Sequence, residues 1–272
     1  MSEAGAGVLR HALVSVTDSP ARGCLVLHGI LGSKTNWRTL VRRVAERVPE
    51  WGFVLVDLRM HGESQSFAPP HDLAHVAGDL VELAHTLGHP LDAVVGHSYG
   101  GKVALAYTDR VKGDLDRCVV VDSNPGARPD ARGSESTLKV LDSLEAMGAL
   151  FATRESFMRA IVERGHGRDM AAWLATNLAH HGDGFRFRND ITAIRAMLDD
   201  YFTRDLWGVI DAPPGRVRVE VILGGRSPVM TPDERARLAR IAEENSSRVG
   251  VNVVEGAGHW VHVDAPDATI DL

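Results

Sequence analysis

Cysteine is nearly absent from this chain, with two residues in 272, Cys24 and Cys118. Both sit in apolar, strand-like runs, CLVLHG and CVVVDS. That suits reduced, buried thiols in a cytoplasmic setting better than a disulfide framework. Positive charge is not in excess either. The formal net charge is −6, so nothing electrostatic points to nucleic acid or an anionic membrane as a partner. No apolar run approaches the ~20 residues that span a bilayer. The opening MSEAGAGVLRHALV lacks a basic stretch followed by an apolar block, so no secretory signal is expected. Repeats, low-complexity tracts and long linkers are missing too. What remains is ordinary for a globular protein: 44% hydrophobic and 24% charged residues. The length allows one sizeable core, as one domain with an insertion or as two small domains.

Short β-like runs recur along the chain: VLRHALVSV, CLVLHG, FVLVDLR, AVVGHS, CVVVDS, VEVILGG and VNVVEG. Most are continuously apolar, as strands covered on both faces of a mainly parallel sheet must be. Helical stripes separate them. Trp37, Leu40, Val41, Val44, Ala45 and Val48 form one stripe within residues 34–49, and Leu73, Val76, Ala77, Leu80, Val81, Ala84 and Leu87 form another within 71–88. Alternating strands and helices imply an α/β sandwich with right-handed crossovers. After Asp122 the rhythm breaks. Residues 134–207 show helical patterns and no clear strand, and the strand pattern returns at RVRVEVILGG. The expected organisation is a core of residues 1–133 and 208–272 with a helical lid, 134–207, over the carboxyl edge of the sheet. The chain stops at Leu272, soon after HWVHVDAPDA, where a last packing helix is expected.

The most informative stretch is AVVGHSYGGKVAL, residues 93–105. A serine between two glycines, with a buried strand before it and a helix after it, has the form of a nucleophile elbow. Such a turn holds the serine in a strained conformation and lifts its Oγ above the sheet edge, at a helix N-terminus that favours developing negative charge. The alternative is a Gly-rich turn with an incidental serine. A hydroxyl needs a base to act as a nucleophile at neutral pH. The loop after the final strand, VNVVEGAGHWVHVDAP, offers His259 and His262. His259 follows glycines that suit a loop reaching back over the elbow, whereas His262 falls within an apolar alternation. Two amides should face the oxyanion of a tetrahedral intermediate: that of Tyr99, next to the nucleophile, and that of Ile30, after the turn His28-Gly29. Asp57 and His61 in DLRMHGES lack a third partner at metal-ligand spacing and read as ion pairing and loop ordering. The cluster LAHHGDG reads as a polar lid surface. No metal is expected. Trp173, Phe185 and Phe187, with Trp260, either line an acyl pocket or simply pack the lid.

Together LHGILGSKTNW, DLRMHGES, GHSYGGKVAL, TNL…FRFRNDI, LGGRSP and GAGHWVHVDAP resemble the α/β-hydrolase superfamily, and more narrowly its small acyl-esterase branch (YbfF-type esterases and their mitochondrial and plant relatives). The resemblance implies an α/β-hydrolase fold and a cofactor-free hydrolase of small-molecule carboxylic esters or thioesters with short to medium acyl groups. In the wider superfamily the acid that orients the histidine follows the strand VEVILGG, but that place reads Gly225-Arg226-Ser227-Pro228. Relatives of this branch also have a serine there and use an aspartate one strand earlier, which here is Asp122. Among other carboxylates, Asp233 belongs to a helix start favoured by the helix dipole, and Asp190 lies in the lid, a poor platform for orientation. Asp122 ends the strand expected beside that of the nucleophile. The alternative for it is a strand-end aspartate bonded to loop amides. Ser227 can add a supporting hydrogen bond but carries no charge. Two other readings stay open: a C–C bond hydrolase or perhydrolase on the same scaffold, and a ligand-binding protein that keeps the pocket without catalysis. Aspartate would stand at position 98 in a dehalogenase or epoxide hydrolase.

Overall fold

In the computed structural model, which describes residues 7–88, 91–132, 134–148 and 150–272, the apolar runs become strands. In chain order they are β1 (His11–Val14), β2 (Arg22–Leu27), β3 (Trp51–Val56), β4 (Ala93–His97), β5 (Arg117–Val121), β6 (Leu150–Phe151), β7 (Leu178–His181), β8 (Gly184–Phe187), β9 (Arg218–Gly224) and β10 (Val249–Val254). The helices are α1 (Arg38–Arg47), α2 (Leu73–Leu87), α3 (Tyr99–Val111), α4 (Glu135–Glu145), α5 (Arg154–Glu163), α6 (Arg168–Ala175), α7 (Ile191–Thr203), α8 (Trp207–Asp211), α9 (Pro232–Glu244), α10 (Val261–Asp264) and α11 (Pro266–Asp271). The first six residues, and residue 133 at the expected end of the first core segment, lie outside the described residues.

A seven-stranded sheet runs in the order β1-β3-β2-β4-β5-β9-β10. Only β1 is antiparallel to its neighbour, and the other pairings are parallel. This is the α/β-hydrolase architecture. The pleat sends alternate side chains to opposite faces, and the strands are apolar on both. Leu25, Leu27, Val94 and Val120 join α2 and α3 in one core. Cys24, Val26, Ala93 and Val121 join Trp37, Leu40 and Val41 in a second. Each fully buried Leu or Val contributes roughly 1.5–3 kcal/mol, so two covered faces hold the strand ends rigidly. Helix boundaries follow local chemistry. At the start of α2, Asp72 accepts a hydrogen bond from the His75 amide, and Gly88 ends the helix at φ 68°. No helix among the described residues is long and apolar enough to cross a membrane.

The segment between β5 and β9 departs from the helices-only expectation. It holds α4 to α8, but also a three-stranded antiparallel sheet in the order β6-β8-β7. The strands β7 and β8 meet in a two-residue hairpin with His181 opposite Gly184. Gly182, at φ 58°, supplies the positive φ that its first turn position requires. Four-residue strands carrying two histidines show little apolar alternation, which hides them from a periodicity reading.

Candidate active site

Ser98 sits between the end of β4 and the start of α3 at φ 54°, ψ −120°, a backbone region costly for a residue with a Cβ. The two flanking glycines have separate steric reasons. A Cβ on Gly96 would lie 2.0 Å from the Gly100 carbonyl oxygen, and one on Gly100 would lie 2.5 Å from that of His28. Strand, helix and the loop after β2 therefore close on one another only without side chains there. The Ser98 amide donates to Val121 O at 2.9 Å, which ties the elbow to β5.

Asp122 follows β5 directly, at φ 45°. Its amide donates to Ile222 O at 2.7 Å, and its carboxylate is fully buried. Oδ1 accepts from the Gly224 amide at 2.9 Å. Oδ2 accepts from the Ser227 hydroxyl at 2.5 Å and faces His259 Nδ1 at 2.7 Å. These donors offset the cost of burying the charge. Ser227 is held in turn by Arg235 of α9, whose guanidinium donates to the carbonyls of Gly224 and Ser227 at 2.9 and 2.8 Å.

His259 lies in the loop after β10, and its Nε2 is 3.1 Å from Ser98 Oγ. With Nδ1–H donating to the carboxylate, Nε2 is left as an acceptor for the serine hydroxyl. A further histidine, His97, fixes the loop by donating from Nε2 to the His259 carbonyl at 2.8 Å. Burial, followed by the neighbouring His259 and His262, holds the His97 pKa well below its ordinary value. His262 is itself buried and stacked on Trp37 at 4.3 Å. Burial is the main cause that pushes its pKa down to about 4.

The loop carrying Ile30 is pinned by two buried histidines. The His28 ring donates from Nδ1 to Gly29 O at 2.8 Å and accepts the Leu58 amide at Nε2. His61 donates from Nδ1 to Arg59 O and accepts the Leu31 amide at Nε2, at 2.9 and 3.0 Å. Asp57 joins the same pair of loops, accepting Lys34 Nζ at 2.6 Å and the Glu63 amide at 2.9 Å. The Leu31 amide is thus committed elsewhere, while Ile30 and Ser98 line a common cleft.

That cleft has two lobes sharing Ile30, Ser98, Ser136, Thr137 and His259. The smaller, about 70 Å³, is apolar around Val140, Met170, Trp173 and Trp260. The larger, about 230 Å³, is bounded by Tyr99, Arg128, Tyr201 and Val229. Phe187 is not brought to either lobe. It stacks on the buried Phe157 with ring centroids 5.7 Å apart, and Phe185, on the same face of β8, packs against His180 and Arg154. Asp190 caps α7 by accepting the amides of Thr192 and Ala193. Asp233 occupies the first turn of α9. Sequence reasoning missed His97, Arg128, Ser136, Thr137 and Met170. Of these, His97 alone had a local signal, lying next to Ser98 in the Gly-x-Ser-x-Gly stretch.

The sheet order, the elbow and the histidine loop define an α/β hydrolase. The sequence profile of the alpha/beta hydrolase family matches residues 24–272, and the chain belongs to that family. Over 260 residues it is 26% identical to the sn-1-specific diacylglycerol lipase ABHD11 of Mus musculus, an alignment covering 93% of this chain and 80% of that protein. It is also 26% identical over 246 residues to Esterase YbfF of Escherichia coli K12, covering 90% and 89% of the two chains. Among solved structures, a marine microorganism esterase superposes with a TM-score of 0.83 at 21% identity, covering 98% of each chain. At that identity the likeness speaks for the fold.

Proposed function

We propose that this chain is a serine hydrolase of carboxylic esters or thioesters with short to medium acyl groups, working through an acyl-enzyme on Ser98. The observation that carries the reading is the line from Ser98 Oγ to His259 Nε2 at 3.1 Å and from His259 Nδ1 to Asp122 at 2.7 Å. In the first step Oγ bonds to the carbonyl carbon and its proton passes to Nε2. Asp122 stabilises the resulting imidazolium. The oxyanion faces the amides of Ile30 and Tyr99. The tetrahedral intermediate then collapses as the bond to the alcohol or thiol breaks, and Nε2 returns the proton to that leaving group. Water, deprotonated by His259, releases the acid and restores Ser98.

Residues 134–207 act in this reading as the cap over the cleft, supplying Ser136, Thr137, Met170 and Trp173. The lobes, about 70 and 230 Å³, together reach only the lower end of the ~300–1,000 Å³ of sites for drug-sized ligands, which favours small acyl groups in a substrate-binding pocket with Trp173 and Trp260. The esterase and lipase names of the relatives support the same class. Two free, fully buried thiols fit a cytoplasmic setting.

The test is hydrolysis of a p-nitrophenyl ester series together with fluorophosphonate labelling. Wild type should turn over short esters and take the label at Ser98. Ser98→Ala should remain folded, take no label and lose activity by several orders of magnitude. Retention of most activity in that variant would reject the mechanism.

A further inference from the structure

The larger lobe holds a charge that the chemistry at Ser98 does not require. Arg128, between β5 and α4, is 6% exposed and lines the lobe beside Ser98 and His259. Its Nη1 donates to the carbonyls of Arg132 and, at 3.5 Å, Val229. Its Nη2 donates to the Tyr201 hydroxyl at 3.2 Å, and its Nε has no partner. Among the described residues no carboxylate lies within ion-pair distance of this guanidinium. Arg59 shows the contrast, since it is equally buried and gripped by both oxygens of Asp79, at 2.6 and 2.7 Å.

A second basic group lies nearby, its pKa pushed down to about 7 chiefly by burial and held up by Asp205, Asp200 and Glu234. Lys102 is fully buried, and its Nζ donates to the carbonyls of Gly126, Tyr201 and Arg204 and lies 4.3 Å from the Tyr201 ring centroid. The carboxylate of Glu234 acts on Arg128 only from beyond ion-pair distance, and its Oε2 accepts the Thr231 amide and hydroxyl at 2.7 and 3.0 Å. A guanidinium kept out of water without an anion is costly unless a partner arrives from outside. A planar guanidinium whose Nε–H has no partner is suited to a carboxylate.

We propose that Arg128 binds a carboxylate carried by the substrate, so that the preferred esters are acidic ones: half-esters of short dicarboxylic acids, or acyl esters of hydroxy acids. This rests on the reading of Ser98 as an ester-cleaving nucleophile. The two substrate forms differ in whether the charge sits on the acyl or the alcohol side of the scissile bond.

The test compares kcat and KM, by pH-stat, for monoethyl glutarate against ethyl pentanoate (acyl side) and for butanoyloxyacetate against ethyl butanoate (alcohol side). Wild type should favour one acidic ester over its neutral partner by tenfold or more in kcat/KM, through KM. In Arg128→Met the loss on that acidic ester should exceed the loss on the neutral one by tenfold or more, and Arg128→Lys should recover part of it. Glutarate alone, measured by calorimetry, should bind wild type and not Arg128→Met. Equal losses on both esters, or a wild type with neither acid preference nor glutarate binding, would overturn the proposal. Cleavage of neutral esters without acid preference leaves the hydrolase reading standing. Glutarate binding without any ester cleavage would remove that reading and keep the anion site.

Discussion

The hydroxyl of Ser227 and the ring of His259 meet on one oxygen of Asp122, at 2.5 and 2.7 Å. Ser227 follows β9, the position from which the orienting acid commonly comes in this fold. A serine there cannot supply charge, and the carboxylate beside it is that of Asp122, which follows β5. Its left-handed backbone, φ 45°, turns the carboxylate under the β9 end, where the Gly224 amide meets the second oxygen at 2.9 Å. Carboxylate and hydroxyl thus stand at the ends of adjacent parallel strands.

The elbow glycines make a prediction that concerns folding alone. A methyl at Gly96 would press on the backbone of Gly100 and Gly101, in the first turn of α3. Gly96→Ala should lower stability by at least about 1–3 kcal/mol, the usual cost of overpacking. Gly148→Ala, where a Cβ meets nothing within 4 Å, is the control. Thermal unfolding of the two variants decides it, and equal melting temperatures would mean the strand-helix crossing is looser than it stands.

The elbow and the strands were legible because their signals are local: a glycine on each side of a serine, and continuous apolar runs. His259 could be separated from His262 for the same reason, since glycines precede one and apolar neighbours surround the other. The environment of Arg128 was not legible. Its partners Tyr201 and Val229 lie 73 and 101 residues away, and nothing beside it in sequence marks it as buried. The clasp of His28 and His61 was hidden likewise, because each ring accepts an amide 30 residues distant. Phe187 was placed by residue type alone, and the pleat of β8 turned it toward Phe157. The strands β7 and β8 were missed although His-Gly-Asp-Gly carries a hairpin signal, because the flanking strands are too short to show a period.

Acid should loosen the loop that carries Ile30. His61 donates from Nδ1 and accepts at Nε2, which only a neutral ring can do. Burial, with His28 as the next cause, pushes its pKa down to about 3, whereas an unfolded histidine titrates near ~6.5. Between those values the unfolded chain binds a proton that the native ring refuses. Stability therefore rises with pH across this window and is lost as pH falls through it, at up to ~1.4 kcal/mol per pH unit for one group. Urea midpoints measured from pH 4 to 6 should show a slope for His61→Gln shallower by about one proton. An unchanged slope would mean that His61 is protonated in the native state.

Trp173 and Trp260 meet edge to face, with centroids 5.0 Å apart, and both wall the smaller lobe. If that lobe takes the acyl chain, Trp173→Ala should move the chain-length optimum toward longer esters. The ratio of kcat/KM for octanoate over butanoate should rise about tenfold, or on the order of 1.4 kcal/mol. A chain-length profile identical to wild type, with only a lower melting temperature, would assign Trp173 to packing.

The sharpest prediction separates three carboxylates and one hydroxyl. Asp122→Asn keeps the shape but removes the charge, and an amide can present its NH2 toward His259 Nδ1, favouring the wrong tautomer for proton uptake at Nε2. The expected loss is roughly 10³–10⁴-fold in kcat with little change in KM, because the substrate is held by other residues. Ser227→Ala removes one donor from the same oxygen while leaving the Gly224 amide and His259 in place. It should cost on the order of one hydrogen bond to a charged group, ~1–3 kcal/mol and so a far smaller fall in rate. Asp190→Asn and Asp233→Asn alter helix starts that do not touch His259 and should leave kcat within a few-fold of wild type. Steady-state kinetics on a single short p-nitrophenyl ester ranks all four variants. Full activity in Asp122→Asn, or a deeper loss in Asp233→Asn, would place the orienting charge elsewhere.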